Sequence, residues 1–213
     1  MRLGTGAAPL ATTVLVGLFA SLVALALSLA CLENEQRHSV RPGARALWLL
    51  YLPLLVPQIA FLFGVQVILI QVDLDATLTA VTWTHLLFVL PYVFLSLADP
   101  YRSLDRRYAR IAAGLGVPPW QTFWRVKVPL LLRPILIAFA IGFAVSVSLY
   151  LPTVFAGGGR ISTLTTEAVT LSAGADRRLV GVTALLQSVL PLGVYALALV
   201  TTSVSRLARR SRA

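Results

Sequence analysis

Long apolar runs, separated by shorter polar stretches, dominate the pattern of the chain. Five of these runs are long enough to cross the roughly 30 Å hydrocarbon layer of a bilayer as helices. They lie at residues 9–32, 46–70, 76–98, 131–155 and 180–203. Several contain prolines, which membrane helices tolerate where neighbouring groups satisfy the freed carbonyls. The pattern therefore predicts an all-α integral membrane protein with about five transmembrane helices in one domain, residues 1–213.

The first apolar run lies near the N-terminus, where a secretion signal would also be found. It extends over about 20 residues, whereas the apolar core of a signal peptide has about 7–15. An acidic Glu-Asn-Glu stretch follows it in place of a cleavage site. We therefore expect this run to be a membrane helix that the protein retains.

The connection at residues 156–178 is longer than a turn. Three successive glycines near its start allow an irregular backbone, and the sequence TLTTEAVTLSAG that follows carries helix-start and helix-end residues. We expect a short helix with Glu167 in its body and Gly174 near its end. Glu167 is a candidate for a gate or for contact with a binding protein, and a solvated carboxylate is the simpler interpretation.

The connection at residues 99–130 begins with an amphipathic pattern. Its apolar residues are spaced so that they share one face of a helix. These residues are Leu104, Tyr108, Ile111, Ala112 and Leu115. Arg102, Arg106 and Arg110 fall on another face, and like charges four residues apart are mildly unfavourable on an isolated helix. We therefore expect an acidic lipid or an acidic partner to offset these charges.

A turn and a second helix are predicted to follow. Gly116 is suited to the end of the first helix, and Pro119 is suited to the first turn of the second. The second helix is expected to contain Trp120 and Phe123 and to stop at Pro129. Two interpretations fit this hairpin: an amphipathic element with its tryptophans at headgroup level, and an element whose apolar face docks into a groove on a partner.

Composition supports a lipid environment and excludes several kinds of site. The chain is 58% hydrophobic and 12% charged, whereas an average soluble domain has about 45–50% and about 25%. A lone cysteine, Cys31, excludes an internal disulfide and a Cys-based zinc site. The sequence contains no G-x-x-x-x-G-K-[ST] phosphate loop. We therefore expect a protein that is not itself an enzyme and that binds no cofactor.

The cations are distributed unevenly between the two sides of the predicted crossings. Fourteen of the 18 fall on one side: three at residues 33–45, seven at 99–133 and four in the C-terminal tail. The positive-inside rule assigns this side to the cytoplasm, which predicts an external N-terminus and a cytoplasmic C-terminus. The net charge of +10 is then explained by topology and lipid headgroups, so no nucleic-acid partner is needed.

Five residues in or beside the crossings are candidates for a solute path or gate. His85 qualifies because ionisable residues inside membranes are often functional; its alternative is a histidine hydrogen-bonded within the bundle. Gln58 is a second candidate, with hydrogen bonding between helices as its alternative. Tyr150, Pro152 and Thr153 interrupt the fourth crossing near its outer end. That interruption suits a gate, and it suits a simple helix terminus equally well.

Local ion pairs are expected at the start of the basic connection. Asp99 and Asp105 flank Arg102 and Arg106 in the sequence. The default expectation is that these four side chains pair with one another.

Residues 110–129 resemble the EAA signature of permease subunits of ABC importers. That signature is Glu-Ala-Ala, three residues, Gly, nine residues and an Ile-x-Leu-Pro-like end. Gly116 matches its glycine and Pro129 its final proline, and Val126 and Val128 stand at the Ile and Leu positions. Arg110 and Ile111 depart from the pattern, because they stand where the family has its glutamate and its first alanine.

The resemblance implies that the segment at about residues 102–129 contains a coupling helix. In the family this helix sits in a cleft of the ATP-hydrolysing subunit and transmits the closure of that subunit to the membrane helices. The residues implied in coupling to the ATPase are Tyr108, Arg110, Ile111, Ala112, Ala113, Leu115, Gly116, Trp120, Phe123, Val126, Val128 and Pro129.

The resemblance extends over nearly the whole chain. Stretches such as HLLFVLPYVFLSLADPYRSLD and SLYLPTVFAGGGRISTLTTEAV are similar to the C-terminal half of two-repeat permeases, among them the thiamine and iron(III) importers. This implies a type I ABC importer permease core in a bacterial inner membrane. A truncated gene product, a split subunit and a homodimer-forming version all fit the presence of a single half.

The same resemblance implies the partners. They are cytoplasmic ABC ATPase subunits that use ATP, an extracytoplasmic solute-binding protein, and a second permease half from the same or a separate chain. The implied solute is thiamine-like or another small molecule.

Two other functions fit some of these features. A non-transporting membrane scaffold or assembly protein would use the basic hairpin as its interface. An ion-coupled secondary transporter would be expected to carry acidic residues within its crossings, whereas the acidic residues of this chain lie in loops or at the ends of crossings.

Overall fold

A computed structural model describes residues 7–174 and 177–210 of the chain. Within these residues all regular structure is helical, in eleven α-helices and one π-helical turn, Phe123–Lys127. The α-helices are α1 (Ala7–His38), α2 (Ala44–Leu55), α3 (Gln58–Gln71), α4 (Leu78–Arg102), α5 (Arg107–Gly114), α6 (Pro119–Thr122), α7 (Val128–Leu130), α8 (Leu132–Ser148), α9 (Leu151–Gly157), α10 (Leu164–Ser172) and α11 (Arg177–Arg210). The predicted all-α fold is confirmed.

Among the described residues, three helices are long and apolar enough to cross a membrane unbroken, and the number rises to five if each of two bent helix pairs is one span. The three are α1, α4 and α11. Helices α1 and α4 run side by side in the same direction, since Val16 packs near Val81 and Glu33 contacts Tyr101. We call the end of the bundle where both helices finish, together with residues 103–131, the basic end.

The apolar run at residues 46–70, which was expected to be one transmembrane helix, is broken in two. It forms α2 and α3, which are bent by 109° relative to each other. Pro57 has no N–H to continue the helix, and it holds the preceding Val56 in an extended conformation, φ −86° and ψ 142°. Leu47 packs at the basic end and Leu69 at the opposite end, so the two pieces together still run the length of the bundle.

The run at residues 131–155 is interrupted near its outer end, where the sequence predicted a break. Helix α8 ends at Ser148, and Leu149 leaves the helical region with ψ 109°. Pro152 then lies in the first turn of α9, where its missing N–H breaks no helical hydrogen bond.

The core of the bundle forms where α1, α4 and α8 approach one another through small residues. Ala20, Ala24 and Ala138 are fully buried between the three helices. At Gly142 in α8, an added Cβ would lie 2.6 Å from Val93 Cγ2. Small residues of this kind let membrane helices pack closely.

The short helix predicted after residue 160 is confirmed as α10. Thr163 caps its N-terminus in a capping box with Thr166. The N–H of Leu164 donates to Thr13 Oγ1 at 2.8 Å, which attaches the start of α10 to α1. The N–H of Gly174 donates to the carbonyl of Leu171 at 2.9 Å, just beyond the end of the helix.

Candidate coupling site

Helix α5 begins later than the sequence pattern suggested. Helix α4 continues to Arg102, and α5 starts at Arg107, so Leu104 lies in the turn between them and not on the predicted helix. The carboxylate of Asp105 starts α5 by accepting a hydrogen bond from the N–H of Arg107 at 2.8 Å. A carboxylate at this position satisfies a free N–H of the first helical turn.

Gly116 closes α5 with a left-handed turn. Its φ is +73°, which glycine adopts without the strain that a side chain would bring. The N–H of Gly116 donates to the carbonyl of Ala113 at 3.0 Å, and the N–H of Val117 donates to that of Ala112 at 2.9 Å. These two bonds define a Schellman motif. The sequence predicted this turn correctly. The last residue of α5 is Gly114, two positions before Gly116.

The second helix of the hairpin continues past the residue expected to stop it. Residues 119–130 are helical throughout, and the chain bends by 77° only before α8. In the π-helical turn the N–H of Val128 donates to the carbonyl of Phe123, five residues back. Pro129 then falls in the first turn of α7, where a missing N–H is tolerated. The prediction that Pro129 ends the helix is therefore wrong.

One face of α5 presents large apolar side chains outward. Tyr108 is 47% exposed, Ile111 62% and Leu115 77%, whereas Ala112 is buried. We call Tyr108, Ile111 and Leu115 the α5 patch. Contiguous exposed apolar side chains of this kind mark interaction surfaces. The predicted stripe is therefore directed mainly away from the chain's own core.

An open groove separates α1 from the second helix of the hairpin. Trp124 makes edge-to-face contacts with Trp120 and Phe123, with ring centroids 5.4 Å and 5.1 Å away. The groove has a volume of about 640 Å³ and is lined on the α1 side mainly by apolar residues. We call it the aromatic groove.

A second cavity at the basic end is lined by cations. It has a volume of about 770 Å³, and its walls include Arg37, Arg106, Arg110 and Lys127. Arg106 donates to Ser39 Oγ at 2.9 Å. Arg110 is exposed, and within residues 7–174 and 177–210 its side chain has no hydrogen-bond or ion-pair partner. Ala113 and Gly116 complete the wall beside it.

Glu33 connects three parts of the basic end. Its Oε2 lies 2.6 Å from Lys127 Nζ, and the hydroxyl of Tyr101 donates to the same oxygen. Lys127 is only 5% exposed and is the last residue of the π-helical turn. One carboxylate on α1 therefore binds both α4 and the hairpin.

A second acidic residue on α1 holds the end of α4. Glu35 accepts two hydrogen bonds from Arg102, each of 3.0 Å, and Arg41 lies 3.6 Å from the same carboxylate. This corrects the expected local pairing of Arg102 with the neighbouring aspartates. Asp105 pairs with Arg107, at 3.8 Å.

Sequence reasoning did not select Glu33, Glu35 or Lys127 as site residues. In the sequence, the Glu-Asn-Glu stretch argues only against a cleavage site. Lys127 falls on the unspecified position of the Ile-x-Leu-Pro-like end. A signal was nevertheless present, because two carboxylates at the end of an apolar run require partners if they are buried.

His85 is enclosed within the bundle. Its Nδ1 lies 2.8 Å from Ser146 Oγ, and its Nε2 lies 2.9 Å from Thr153 Oγ1. The Thr153 hydroxyl donates to the carbonyl of Leu149, so we infer that it accepts from Nε2–H and that Nδ1 accepts from Ser146. His85 thereby bridges the break between α8 and α9. Both nitrogens are engaged, which supports its structural interpretation over a role in the path.

The remaining path candidates lie on three different elements. Gln58 is the first residue of α3, directly after the bend, and is half-buried. Tyr150 is half-buried and Pro152 is buried at the start of α9. Glu167 is half-buried in the first turn of α10. Tyr150 and Pro152 lie within three residues of Thr153, which contacts His85.

The chain is similar to known transport proteins over most of its length. The profile of one family, described as "Binding-protein-dependent transport system inner membrane component", matches residues 23–209. The inner membrane ABC transporter permease protein YnjC of Escherichia coli (strain K12) is 43% identical over 182 residues, which are 85% of this chain and 34% of YnjC.

The molybdenum transport system permease protein ModB of Mycobacterium tuberculosis is 30% identical over 168 residues, which are 73% of this chain and 60% of ModB. ModB of Mycobacterium bovis matches to the same extent. The chain thus spans about a third of the length of YnjC and about three fifths of that of ModB.

Proposed function

Because the chain belongs to the binding-protein-dependent family of inner membrane components, the permease subunits of ABC importers, we propose that it forms part of a solute path driven by a cytoplasmic ATPase. The observation that carries this proposal is the α5 patch at the basic end. An exposed apolar helix face beside a rigid turn fits a hairpin that docks into a groove on a partner.

The proposed docking element is the α5 helix with its Gly116 turn. Tyr108, Ile111 and Leu115 would fill an apolar groove on the ATPase, with Arg110 beside them. The Schellman motif fixes the angle at which the second helix leaves α5. The turn would therefore pass a displacement of α5 on to α6 and, through the 77° bend, to α8.

The proposed orientation places the basic end in the cytoplasm. In the sequence, the cations of the basic end and of the tail fall on the side that the positive-inside rule assigns to the cytoplasm. The N-terminus is then external, and α9 and α10 face the side from which a binding protein delivers solute. The ATPase subunits would bind and hydrolyse ATP in place of this chain.

The solute is proposed to be a small molecule delivered by a binding protein. The similarity of the sequence to thiamine and iron(III) importers makes thiamine-like molecules the first class to examine. The name of the molybdenum transport relative adds oxyanions as a second class. The molecule released from the purified binding protein would identify the class directly.

Gly116→Asp tests the coupling role in a complex of this chain with its ATPase and binding protein. We expect this variant to lose ATPase binding, or to lose most of the stimulation of ATP hydrolysis by the binding protein. The side chain strains a backbone at φ +73° and places a carboxylate at the docking surface. The measurement is the ATPase activity of the purified complex in lipid nanodiscs.

Gly43→Asp is the matched control. Gly43 is exposed in the loop at the basic end, has an ordinary φ of −63° and has open space around its Cα. Position 43 therefore accepts the same charge without strain, and the ATPase activity of the complex with this variant should match that of the wild type. Wild-type stimulation in Gly116→Asp would contradict the coupling role. If the wild-type complex binds the ATPase but takes up no solute, a role as a scaffold would be favoured instead.

A further inference from the structure

The pair of Glu33 and Lys127 joins the hairpin to α1 at a buried point. The N–O distance is 2.6 Å, and the Lys127 side chain is 6% exposed, against 22% for that of Glu33. Burying a lysine is unfavourable unless its charge is paired and hydrogen-bonded. The position of Lys127 therefore depends on the carboxylate that α1 supplies.

The π-helical turn directs Lys127 towards this carboxylate. A π-helical turn places one additional residue in a helical turn, and such turns occur frequently at functional sites. Here the turn occupies Phe123–Lys127. It leaves Arg125 and Trp124 exposed, whereas Lys127 is buried. One charge of the hairpin is thus directed inward while its neighbours face outward.

The ion pair is a localised connection between α1 and the second helix. Beside it the two elements are separated by the aromatic groove of about 640 Å³. Helix α1 packs mainly on α4 and α8. Tyr101 on α4 donates to the same Glu33 oxygen as Lys127. Glu33 therefore joins the second helix to the packed pair of α1 and α4, while Gln36 on α1 reaches the start of the hairpin by donating to the carbonyl of Leu104 at 3.3 Å.

From this arrangement we propose that Glu33 and Lys127 are positioning residues that make α1 move with the hairpin when the ATPase displaces it. This inference rests on the coupling role proposed above. Without the pair, the second helix can shift across the aromatic groove while α1 stays in place. The displacement then reaches α8 through the bend but does not reach α1.

The test measures the distance between α1 and α6 in the assembled complex. Asn34 on α1 and Gln121 on α6 are exposed, and both are changed to cysteine for spin labels in a Cys31→Ser background. In the parent chain we expect the same distance distribution without nucleotide and in the vanadate-trapped ATP state. In Lys127→Met we expect a distribution that broadens and changes with nucleotide.

ATP hydrolysis by the complex provides a second measurement. Stimulation of the ATPase by the binding protein should fall about fivefold or more in Lys127→Met, the range of a typical coupling between sites. The exchanged pair Glu33→Lys with Lys127→Glu should recover much of the stimulation, because it restores opposite charges at the same two positions.

Arg102→Met is the matched control, because it also removes a cation from a carboxylate on α1. The pair of Glu35 and Arg102 joins α1 only to the end of α4. We therefore expect this variant to keep the nucleotide-independent distance and most of the stimulation.

The possible results distinguish the two proposals. A wild-type chain that binds no ATPase would contradict the proposed function. If the ATPase binds and Lys127→Met behaves as the parent chain does, only the positioning role is overturned. An equal loss of stimulation in Lys127→Met and Arg102→Met would also overturn it, since a general loss of packing would then account for both.

Discussion

Lys127 and Arg110 lie on the same hairpin, but the environments of their charges differ. Lys127 is buried and neutralised by Glu33, while Arg110 is exposed beside the α5 patch. A buried ion pair is costly to break, by about 3–5 kcal/mol when one partner is removed. We therefore infer that Lys127 stabilises the interior of the permease and that Arg110 belongs to the surface that contacts a partner.

Arg110→Glu is expected to weaken binding of the ATPase. An exposed cation on a docking face favours a neutral or acidic surface opposite, and a reversed charge brings like charges together. We expect the Kd to rise about tenfold, a change of about 1.4 kcal/mol, with a strong dependence on salt. Titration of the ATPase onto nanodiscs that contain the variant measures this change.

Arg160→Glu serves as the control for that experiment. Arg160 is exposed near the start of α10, on the side opposite the basic end. The substitution makes the same change in net charge away from the proposed interface, so the Kd for the ATPase should stay at the wild-type value. Equal or tighter binding by Arg110→Glu would contradict an interface role for Arg110.

At the scale of elements, proline has different consequences at different positions. Pro91 lies inside α4 and leaves it continuous, whereas Pro57 separates α2 from α3 by a 109° bend. Helix α4 is enclosed by α1 and α8 along much of its length, and α2 and α3 are largely exposed. Pro53 inside α2 and Pro191 inside α11 also leave exposed helices continuous. The break at Pro57 therefore follows from the extended conformation of the preceding Val56 and not from exposure alone.

Gly142→Ala is expected to destabilise the packing of α1, α4 and α8. The added Cβ would lie 2.6 Å from Val93 Cγ2 and 3.2 Å from Val89 Cγ1, so side chains in the core must shift. Overpacking of this kind costs about 1–3 kcal/mol. A lower thermal unfolding temperature of the detergent-purified protein measures the loss.

Gly64→Ala is the corresponding control in α3. The space around Gly64 is open, and alanine favours a helix over glycine by about 1 kcal/mol. Its unfolding temperature should equal or exceed that of the wild type. If Gly142→Ala unfolds at the same temperature as Gly64→Ala, the three helices are not as closely packed as described.

At the scale of the whole molecule, the chain leaves much of its apolar surface uncovered. The most apolar stretch of α11 is only 11% buried, compared with 56% for that of α4. Leu185, Leu192 and Leu197 on α11 are each about two thirds exposed. Lipid or a second permease half must cover this surface. A second permease half, which the family resemblance implies, would cover part of this surface and complete the proposed solute path.

Native mass spectrometry of the complex tests for this second half. We expect two permease halves and two ATPase subunits in the complex purified through a tag on this chain. Two copies of this chain would indicate a homodimer, and one copy with another permease would indicate a split pair. Differently tagged copies mixed after lysis control for exchange. A complex with one permease half would contradict the proposed path.

The sequence by itself determined the features that depend on neighbouring residues. Long apolar runs required membrane helices, because no soluble core could bury them. The helix end at Gly116 followed from a glycine placed between a helix pattern and two prolines, and the short helix after residue 160 followed from a similar local pattern. The EAA-like spacing located the hairpin, although it placed the end of the second helix at Pro129 instead of Leu130.

Only the tertiary structure decided which distant residues meet. Lys127 and Glu33 are separated by 94 positions, and their contact depends on how α1, α4 and the hairpin pack together. The contacts of His85 with Ser146 and Thr153 also join positions 61 and 68 residues apart. A spacing in sequence describes one helix at a time, whereas burial and charge pairing depend on the neighbours that packing supplies.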